Sequence, residues 1–400
     1  MTRSTVSLPN LARAKWLNEP RLQAVLAVLN TGGETRVAGG AVRNSLMGMP
    51  ISDVDLATTL VPKDVIQLAK GAGFGVHPTG VDHGTVTVVN RAAAFEVTTL
   101  RRDIETDGRR AVVAFTKDFS EDAARRDFTM NALYCSGRGE IYDYTNGYVD
   151  ILKKRVKFVG VPAERIKEDY LRILRFFRFH AAYAKGKPDS DGLAACKRLK
   201  NGLDDISAER KRQELLKLLV APRAVETLKL MAEAGILKHI LPYTDQWRVM
   251  ARLPLDAELR LYVLAKNPTE LKEKLRLSNE QGARLDALTS ELHISPEVPA
   301  KEQRALLYKL GAVSFADAGH LAFARSRAPV GDRSWSRLIK LPLRWQAPVF
   351  PLAGRDLLQM GIPAGPDLGK KLQAAADYWL AGDFKASKAD LLKYIESMSS

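Results

Sequence analysis

The texture of the sequence changes once, near residue 160, and that change limits the fold more than any other feature. Before it, short β-rich runs alternate with glycine-containing breaks. Arg36-Val37-Ala38 and Asp53-Val54-Asp55-Leu56-Ala57 read as strands. Gly84 through Val89 and Phe95 through Thr99 read as a hairpin around Asn90-Arg91, and Ala111 through Phe115 adds a further strand. A helix is expected near 10–29, and a short one after Gly39-Gly40, ending at Leu46. Beyond 160, good helix formers fill 163–184, 207–220, 222–235, 256–265, 278–293 and 301–311, with Pro- and Gly-containing breaks between them. Pro329, Gly331, Pro342, Pro348 and Pro351 mark another change of texture from about 328, and a final helical part covers 367–395. The fold class that follows is α+β, a mixed N-terminal domain followed by helices.

A chain of 400 residues is too long for one ordinary core; at roughly 100–200 residues per domain, about two to four domains are expected. Lys and Arg number 61 against 46 Asp and Glu, a formal charge of +15. Such a balance concentrates polyanions such as nucleic acid, anionic membrane or nucleotides, and is equally compatible with a generic basic surface. Cys135 and Cys196 are far apart and form no CxxC, which argues against a disulfide framework or a structural zinc site. Two isolated cysteines fit a reducing cytosol, so a cytoplasmic location is expected. No apolar run approaches the ~18 residues that span a bilayer, so no membrane association is expected. The first eighteen residues carry no acid and hold Arg3, Arg13 and Lys15, a faint likeness to a transit peptide. Trp16, Leu17, Leu22, Val25, Leu26 and Leu29 read instead as a helix packing onto the domain.

The most informative stretch runs from Gly39-Gly40-Ala41-Val42-Arg43-Asn44 to Asp53-Val54-Asp55. Two glycines between a strand and a helix let backbone approach a phosphate closely. The helix start supplies free N–H groups, and Arg43 can add a bidentate charge contact. Asp53 and Asp55, two apart on one strand, are expected to point to one face. Paired carboxylates repel unless a cation sits between them, and oxygen ligands of this kind suit Mg²⁺. Two such ions can activate an attacking hydroxyl and stabilise a leaving pyrophosphate. Glu96, on a neighbouring strand, is a possible third carboxylate. A lone Asp-x-Asp is usually a solvated strand face and a lone Gly-Gly a turn; their order in a strand–helix–strand setting is what makes them specific.

These residues resemble the class II CCA-adding tRNA nucleotidyltransferases and related poly(A) polymerases. The family's first motif, Gly-Gly-x-Val-Arg-Asp followed by Asp-x-Asp, is matched by Gly39, Gly40, Val42, Arg43, Asp53 and Asp55. Asn44 stands where the family usually has Asp, so it can orient Arg43 only by hydrogen bonding. Arg125 through Ala132 resembles the second motif, which implies that Arg126, Asp127 and Asn131 hold ribose and triphosphate, as two arginines beside Asp and Asn suit. Asp143 through Gly147, with Asp150, resembles a hinge-like motif. Glu168-Asp169-Tyr170-Leu171-Arg172 resembles the motif that selects the incoming base. Asp169 and Arg172 read as i and i+3 on one helix, so they can reach one ligand together. An acceptor beside a donor matches the amino group and ring nitrogen of cytosine and adenine, and rejects uracil and guanine. Arg175 and Arg178 continue the arginine row and are assigned to nucleotide or tRNA phosphates, while Phe176, Phe177 and Phe179 read as core. Ser207-Ala208-Glu209-Arg210 with Glu214 resembles the motif that braces that helix.

The resemblance implies a polymerase-beta-like nucleotidyltransferase head at 1–152, a helical neck at 153–220 that selects the base, a helical body at 221–327 and a helical, tRNA-binding tail at 328–400. Phe350 through Leu357, with Gly361, Gly365-Pro366 and Gly369, resembles bacterial members. Mg²⁺, two per active site, is the implied cofactor; the tRNA 3′ end, CTP and ATP are the implied partners, with no obligate protein partner evident. Thr79 through Val86 looks like the tRNA-directed members rather than the basic run of poly(A) polymerases. Leu100-Arg101-Arg102-Asp103 through Arg110 resembles the loop needed for the final A, which favours full CCA addition. A-only addition, a poly(A) polymerase and a non-catalytic RNA-binding protein stay as alternatives. His83, before a glycine, reads as a turn residue rather than a base.

Overall fold

Pro20 decides where the first helix begins. The computed structural model describes residues 7–107, 110–289 and 293–398, and α1 (Pro20–Leu29) starts only at this proline. Proline is suited to the first helical position, and the Glu19 carboxylate accepts from the Arg21 and Leu22 N–H groups at 3.0 Å each. Residues 10–19, expected in the same helix, form turns instead. Leu22, Val25, Leu26 and Leu29 are buried along one stripe.

Strand β1 (Thr35–Ala38) is buried throughout. Gly39, at φ 67°, turns the chain into α2 (Gly40–Leu46). Strand β2 (Asp55–Thr58) begins at Asp55, not at Asp53. It is followed by α3 (Pro62–Gly71), β3 (Gly75–Gly80), β4 (Thr85–Asn90) and β5 (Ala93–Thr99). The hairpin turn falls at Arg91-Ala92, with Arg91 in the left-handed region at φ 57°. The expected strand near 111–115 is β7 (Arg110–Phe115), paired with β6 (Arg101–Asp107) as a separate ribbon. Residues 108–109 of the expected loop lie outside the described residues. Then come α4 (Phe119–Ala124), β8 (Leu133–Cys135), β9 (Ile141–Asp143) and α5 (Gly147–Leu152). The sheet order is β3-β4-β5-β2-β1-β8-β9, with β2 and β5 parallel and the other pairs antiparallel.

The helix expected over 163–184 is two helices, α6 (Pro162–Glu168) and α7 (Leu171–Tyr183). Asp169 between them is extended, at φ −158° and ψ 107°. Its Oδ1 accepts the Leu171 N–H at 3.1 Å, a local bond that competes with the helical ladder. Tyr170 seats against Gly202, where an added Cβ would lie 2.1 Å from the ring. Helices α9 (Ala208–Leu219) and α10 (Ala224–Glu233) pack on α7, and α8 (Ser190–Leu199) packs on α6. Phe128, Phe158, Phe176 and Phe179 form an aromatic core, with ring centres 5.0 Å apart for Phe128–Phe158 and Phe128–Phe179. Phe128 is the neighbour of Asp127, so burying one side chain aims the other outward.

The chain divides into two compact units, Met1–Leu241 and Pro242–Ser400. The break between the units falls after α10. The second unit holds α11 (Trp247–Arg252), α12 (Ala257–Leu264), α13 (Leu271–Lys274), α14 (Asn279–Leu288) and α15 (Ala300–Arg325). Gly311, at φ 76°, interrupts α15, so the helix expected to stop at 311 resumes beyond it. After α16 (Arg333–Ile339) and α17 (Gly354–Gln359), α18 (Pro366–Ala381) and α19 (Lys388–Ser397) share the segment expected as one helical part. Leu357, Ala375, Trp379, Leu391 and Ile395 form their core. No helix among the described residues is long and apolar enough to cross a membrane.

Candidate active site

Asp55 stands beside the glycine turn because strand pairing puts it there. It lies opposite Ala38 in the β1–β2 register, and Ala38 immediately precedes Gly39. The Gly39 N–H donates to the Leu133 carbonyl at 3.0 Å, which fixes the turn to β8. A Cβ at Gly39 would lie 3.2 Å from Arg126 Nη1, so glycine also lets that guanidinium approach. Parallel pairing of β2 with β5 carries Glu96 to the same edge. Both carboxylates face one cavity of about 460 Å³. Burial first, then the charges of Glu96 and Asp53, push the Asp55 carboxyl above its usual range, while Arg126 pulls the other way.

Asp53 departs from expectation. It precedes the strand, is exposed, does not line the cavity and accepts a bond from Ser52 Oγ at 2.8 Å. Strand alternation cannot place it beside Asp55, although its charge still reaches Asp55. Glu96, the possible third carboxylate, lines the cavity with Asp55.

The far wall is cationic. Arg43, Arg101, Arg125, Arg126, Arg172 and Arg175 line it. Asp122, buried beneath, accepts from Arg125 at 2.6 Å, from Arg126 at 3.0 Å and from the Tyr134 hydroxyl at 2.7 Å. Burial pushes Asp122 up, but the two arginines outweigh it and hold its carboxyl below the usual range. Asp122 was not singled out; its spacing of three and four residues from Arg125 and Arg126, just past the end of α4, is the signal that could have found it. Asp127 is likewise held low: burial opposes it, and Arg175, the Asn131 amide and the Phe128 N–H prevail. Arg175 donates to Asp127 Oδ2 at 2.6 and 2.8 Å, and Asn131 Nδ2 to Oδ1 at 3.0 Å. Gly40, Arg43, Arg126, Asp127, Asn131, Asp169, Arg172 and Arg175 all line this cavity.

Asp169 and Arg172 line the cavity but do not form a helical pair, because Asp169 sits in the break. Asp169 Oδ2 accepts from Arg210 at 2.7 Å. Arg172 bonds to Glu168 and donates to the Arg165 and Arg125 carbonyls at 2.9 and 3.3 Å. Arg178 does not reach the cavity. It donates to Glu214 at 2.5 Å and lies over the Phe179 ring at 4.4 Å. Three residues fall short of the 3.6-residue turn, so the row Arg172, Arg175, Arg178 drifts around α7 and its last member faces α9. Thr98, Arg101 and Phe179 line the cavity without having been singled out as site residues. His83 does not line it; its carbonyl accepts from Arg101 Nη1 at 2.7 Å. Asp143 and Asp150, of the hinge-like segment, are structural acceptors: Asp143 for the Gly147 N–H at 2.9 Å, Asp150 for the Thr129 hydroxyl at 2.7 Å.

Known proteins align with these features. Residues 35–157 match the family described as "Poly A polymerase head domain", and residues 187–248 match "Probable RNA and SrmB-binding site of polymerase A". The mitochondrial CCA tRNA nucleotidyltransferase 1 of Mus musculus is 33% identical over 385 residues, covering 91% of this chain and 86% of its own. The CCA-adding enzyme of Limosilactobacillus reuteri (strain DSM 20016) is 30% identical over 402 residues, covering 95% and 97%. The crystal structure of the Bacillus stearothermophilus CCA-adding enzyme in complex with CTP superposes with a TM-score of 0.81 at 28% identity, covering 95% of this chain and 98% of that one. The Thermotoga maritima CCA-adding enzyme complexed with tRNA shares the fold, with a TM-score of 0.66 at 18% identity over 98% and 99% of the two chains. A nucleotidyltransferase head of this topology, on a chain aligned over nine-tenths of its length with such relatives, belongs to the CCA-adding tRNA nucleotidyltransferase family.

Proposed function

We propose that this enzyme adds C, C and A, in that order, from CTP and ATP to the 3′ end of tRNA. No nucleic-acid template is used, and pyrophosphate leaves at each step. One observation carries the reading: the glycine turn, the carboxylates Asp55 and Glu96, and the neck side chains Asp169, Arg172 and Arg175 meet in a single cavity.

In this reading Arg43, Arg126 and Arg175 hold the triphosphate, and Asp127 and Asn131 orient the ribose. The 3′-hydroxyl oxygen of the RNA bonds to the α-phosphorus and loses its proton, while the bond from that phosphorus to pyrophosphate breaks. Asp169 accepts from the exocyclic amino group of C or A and Arg172 donates to the neighbouring ring nitrogen. Arg178 acts through Glu214 rather than on the nucleotide.

The donor set suits Mg²⁺. Asp55 and Glu96 offer hard oxygen ligands, and a cation would offset the burial and the Glu96 charge that raise Asp55. Among the described residues no group of three His, Cys, Asp or Glu side chains forms a ready metal cage. Mg²⁺ is commonly held by one or two carboxylates plus water and substrate phosphate. Asp55 and Glu96, with Asp53 as the further candidate ligand, would hold Mg²⁺, two per site, which would supply polarisation of the phosphate and a lowered pKa of the attacking hydroxyl.

Residues 1–152 serve as head, 153–220 as neck, 221–327 as body and 328–400 as a tail that grips tRNA. The β6–β7 ribbon supports full CCA addition over shorter products, since it retains the segment that CC-adding enzymes are expected to lack. A cytoplasmic location belongs to the same proposal. The test is incorporation of labelled CTP, ATP, UTP and GTP, each with Mg²⁺, into tRNA lacking its CCA. C followed by A supports the proposal; long A tails from ATP alone contradict it.

A further inference from the structure

Arg43 is a buried cation whose side-chain partners are all neutral. Nε and Nη2 donate to Asn44 Oδ1 at 3.0 and 2.8 Å, and Nη1 donates to Asn131 Oδ1 at 2.5 Å. Nη2 also donates to the Tyr183 hydroxyl at 2.9 Å, and the guanidinium carbon lies 4.2 Å from that ring's centre. Four other arginines of that wall have a carboxylate: Arg125 and Arg126 share Asp122, Arg175 has Asp127 and Arg172 has Glu168. No ion pair to Arg43 is formed among the described residues. Asp127 makes no direct hydrogen bond to it; the Asn131 amide stands between them, its Nδ2 donating to Asp127 Oδ1 at 3.0 Å.

An arginine does not escape such a position by losing its proton. Burial and the charges of Arg178 and Arg175 disfavour the cation, and Tyr183 and Asp127 compensate only in part. A buried charge without a counter-ion destabilises the protein that holds it. The guanidinium nevertheless lies on the cavity wall beside Gly40, where an anion can reach it.

We propose that Asn44 is a positioning residue that sets how tightly this site holds phosphate. By fixing Arg43 through a neutral oxygen, it leaves the full guanidinium charge for the ligand, at the expense of stability in the free protein. Tyr183 is the second neutral acceptor. Because it stands on α7, it also ties the phosphate-facing arginine of α2 to the helix that carries Arg172 and Arg175. A carboxylate at position 44 would pair with Arg43 and compete with phosphate, while giving up the bond that the Asn44 amide donates to the exposed Pro50 carbonyl at 2.7 Å. That the ligand is a nucleoside triphosphate rests on the nucleotidyl-transfer reading; the anion affinity rests on the surroundings of Arg43 alone.

The experiment compares the full-length protein with Asn44→Asp and Asn44→Ala. Inorganic tripolyphosphate, without divalent metal, is titrated calorimetrically, the melting temperature of each free protein is recorded, and KM and kcat are measured for CTP. Asn44→Asp is expected to weaken tripolyphosphate binding about tenfold and to raise the melting temperature of the free protein. KM for CTP should rise by a similar factor while kcat stays within about threefold. Asn44→Ala removes the acceptor without adding charge, so it should weaken binding and lower the melting temperature. Opposite melting shifts with the same loss of affinity separate charge competition from mere structural damage. Asn44→Asp binding tripolyphosphate as tightly as the parent, or melting no higher than Asn44→Ala, which loses the same bond to Pro50, overturns the proposal. If the parent adds no CTP yet the tripolyphosphate pattern holds, the nucleotidyl-transfer reading fails and the role of Asn44 stands.

Discussion

Arg210 holds Asp169 at 2.7 Å, and so the acid at the α6–α7 break is oriented from α9 rather than by Arg172. Its other oxygen is held by the Leu171 N–H at 3.1 Å. The two groups proposed to read the base thus have separate supports, one from α9 and one from Glu168 and two head and neck carbonyls. Arg210→Ala should free Asp169 to rotate. Misincorporation of U or G relative to C is expected to rise about tenfold, with a smaller loss in the rate of C addition. Single-turnover reactions with each nucleotide measure both. Unchanged discrimination would mean that Asp169 is not held for base reading.

Asp55 is expected to separate activity from stability. Its carboxyl is raised, so in the metal-free protein the charged form is disfavoured and opposes folding above the unfolded pKa. Asp55→Asn removes that repulsion. Nucleotide addition should fall about a thousandfold or more, while the metal-free melting temperature stays level or rises. Mg²⁺ should raise the melting temperature of the parent protein and not of the variant. A variant that is both inactive and unfolded would point to a structural role.

The glycine turn and Asp55 were legible because strand, Gly-Gly, helix and strand are encoded locally. The position of Asp53 was not. Gly39 turns β1 away at Ala38, so β2 has no partner before Asp55, and that register is a tertiary fact. The break at Asp169 was hidden by good helix formers on both sides; it depends on Tyr170 finding Gly202 across the fold. The drift of Arg178 to Glu214 follows from helical geometry and could have been read from spacing. Tyr183, a C-terminal helix residue far in sequence from Arg43, gave no local sign of its place.

His180 supplies a pH signature for α7. Burial, with the charge of Arg223 added and Glu226 opposing, pushes its imidazole down to about 4. The unfolded chain takes up the proton near 6.5, so between these values the unfolded state binds more protons. The contribution of His180 is fully present above about 6.5 and is lost as pH falls toward 4. By pH 5 the loss is about 2 kcal/mol. Urea unfolding of the parent and His180→Leu at pH 7 and pH 5 checks this. The stability difference between them should shift by that amount in the variant's favour at pH 5. A pH-independent difference would contradict it.

Gly202 is predicted to tolerate no side chain. A Cβ there would lie 2.1 to 2.4 Å from three atoms of the Tyr170 ring. Gly202→Ala should destabilise the protein by about 1–3 kcal/mol and displace the residue next to Asp169. Loss of base discrimination together with a lower urea midpoint is expected. A stable variant with unchanged discrimination would show that the α6–α7 break does not depend on this contact.

The most direct measurement follows single-nucleotide products on a tRNA that ends before its CCA, with CTP and ATP supplied alone and together. CTP alone should extend the RNA by two residues and stop, and both nucleotides together should give three and stop, with no extension by UTP or GTP. A ladder of A residues from ATP alone, or no extension by any nucleotide while the protein is folded, would contradict the shared cavity as the seat of CCA addition.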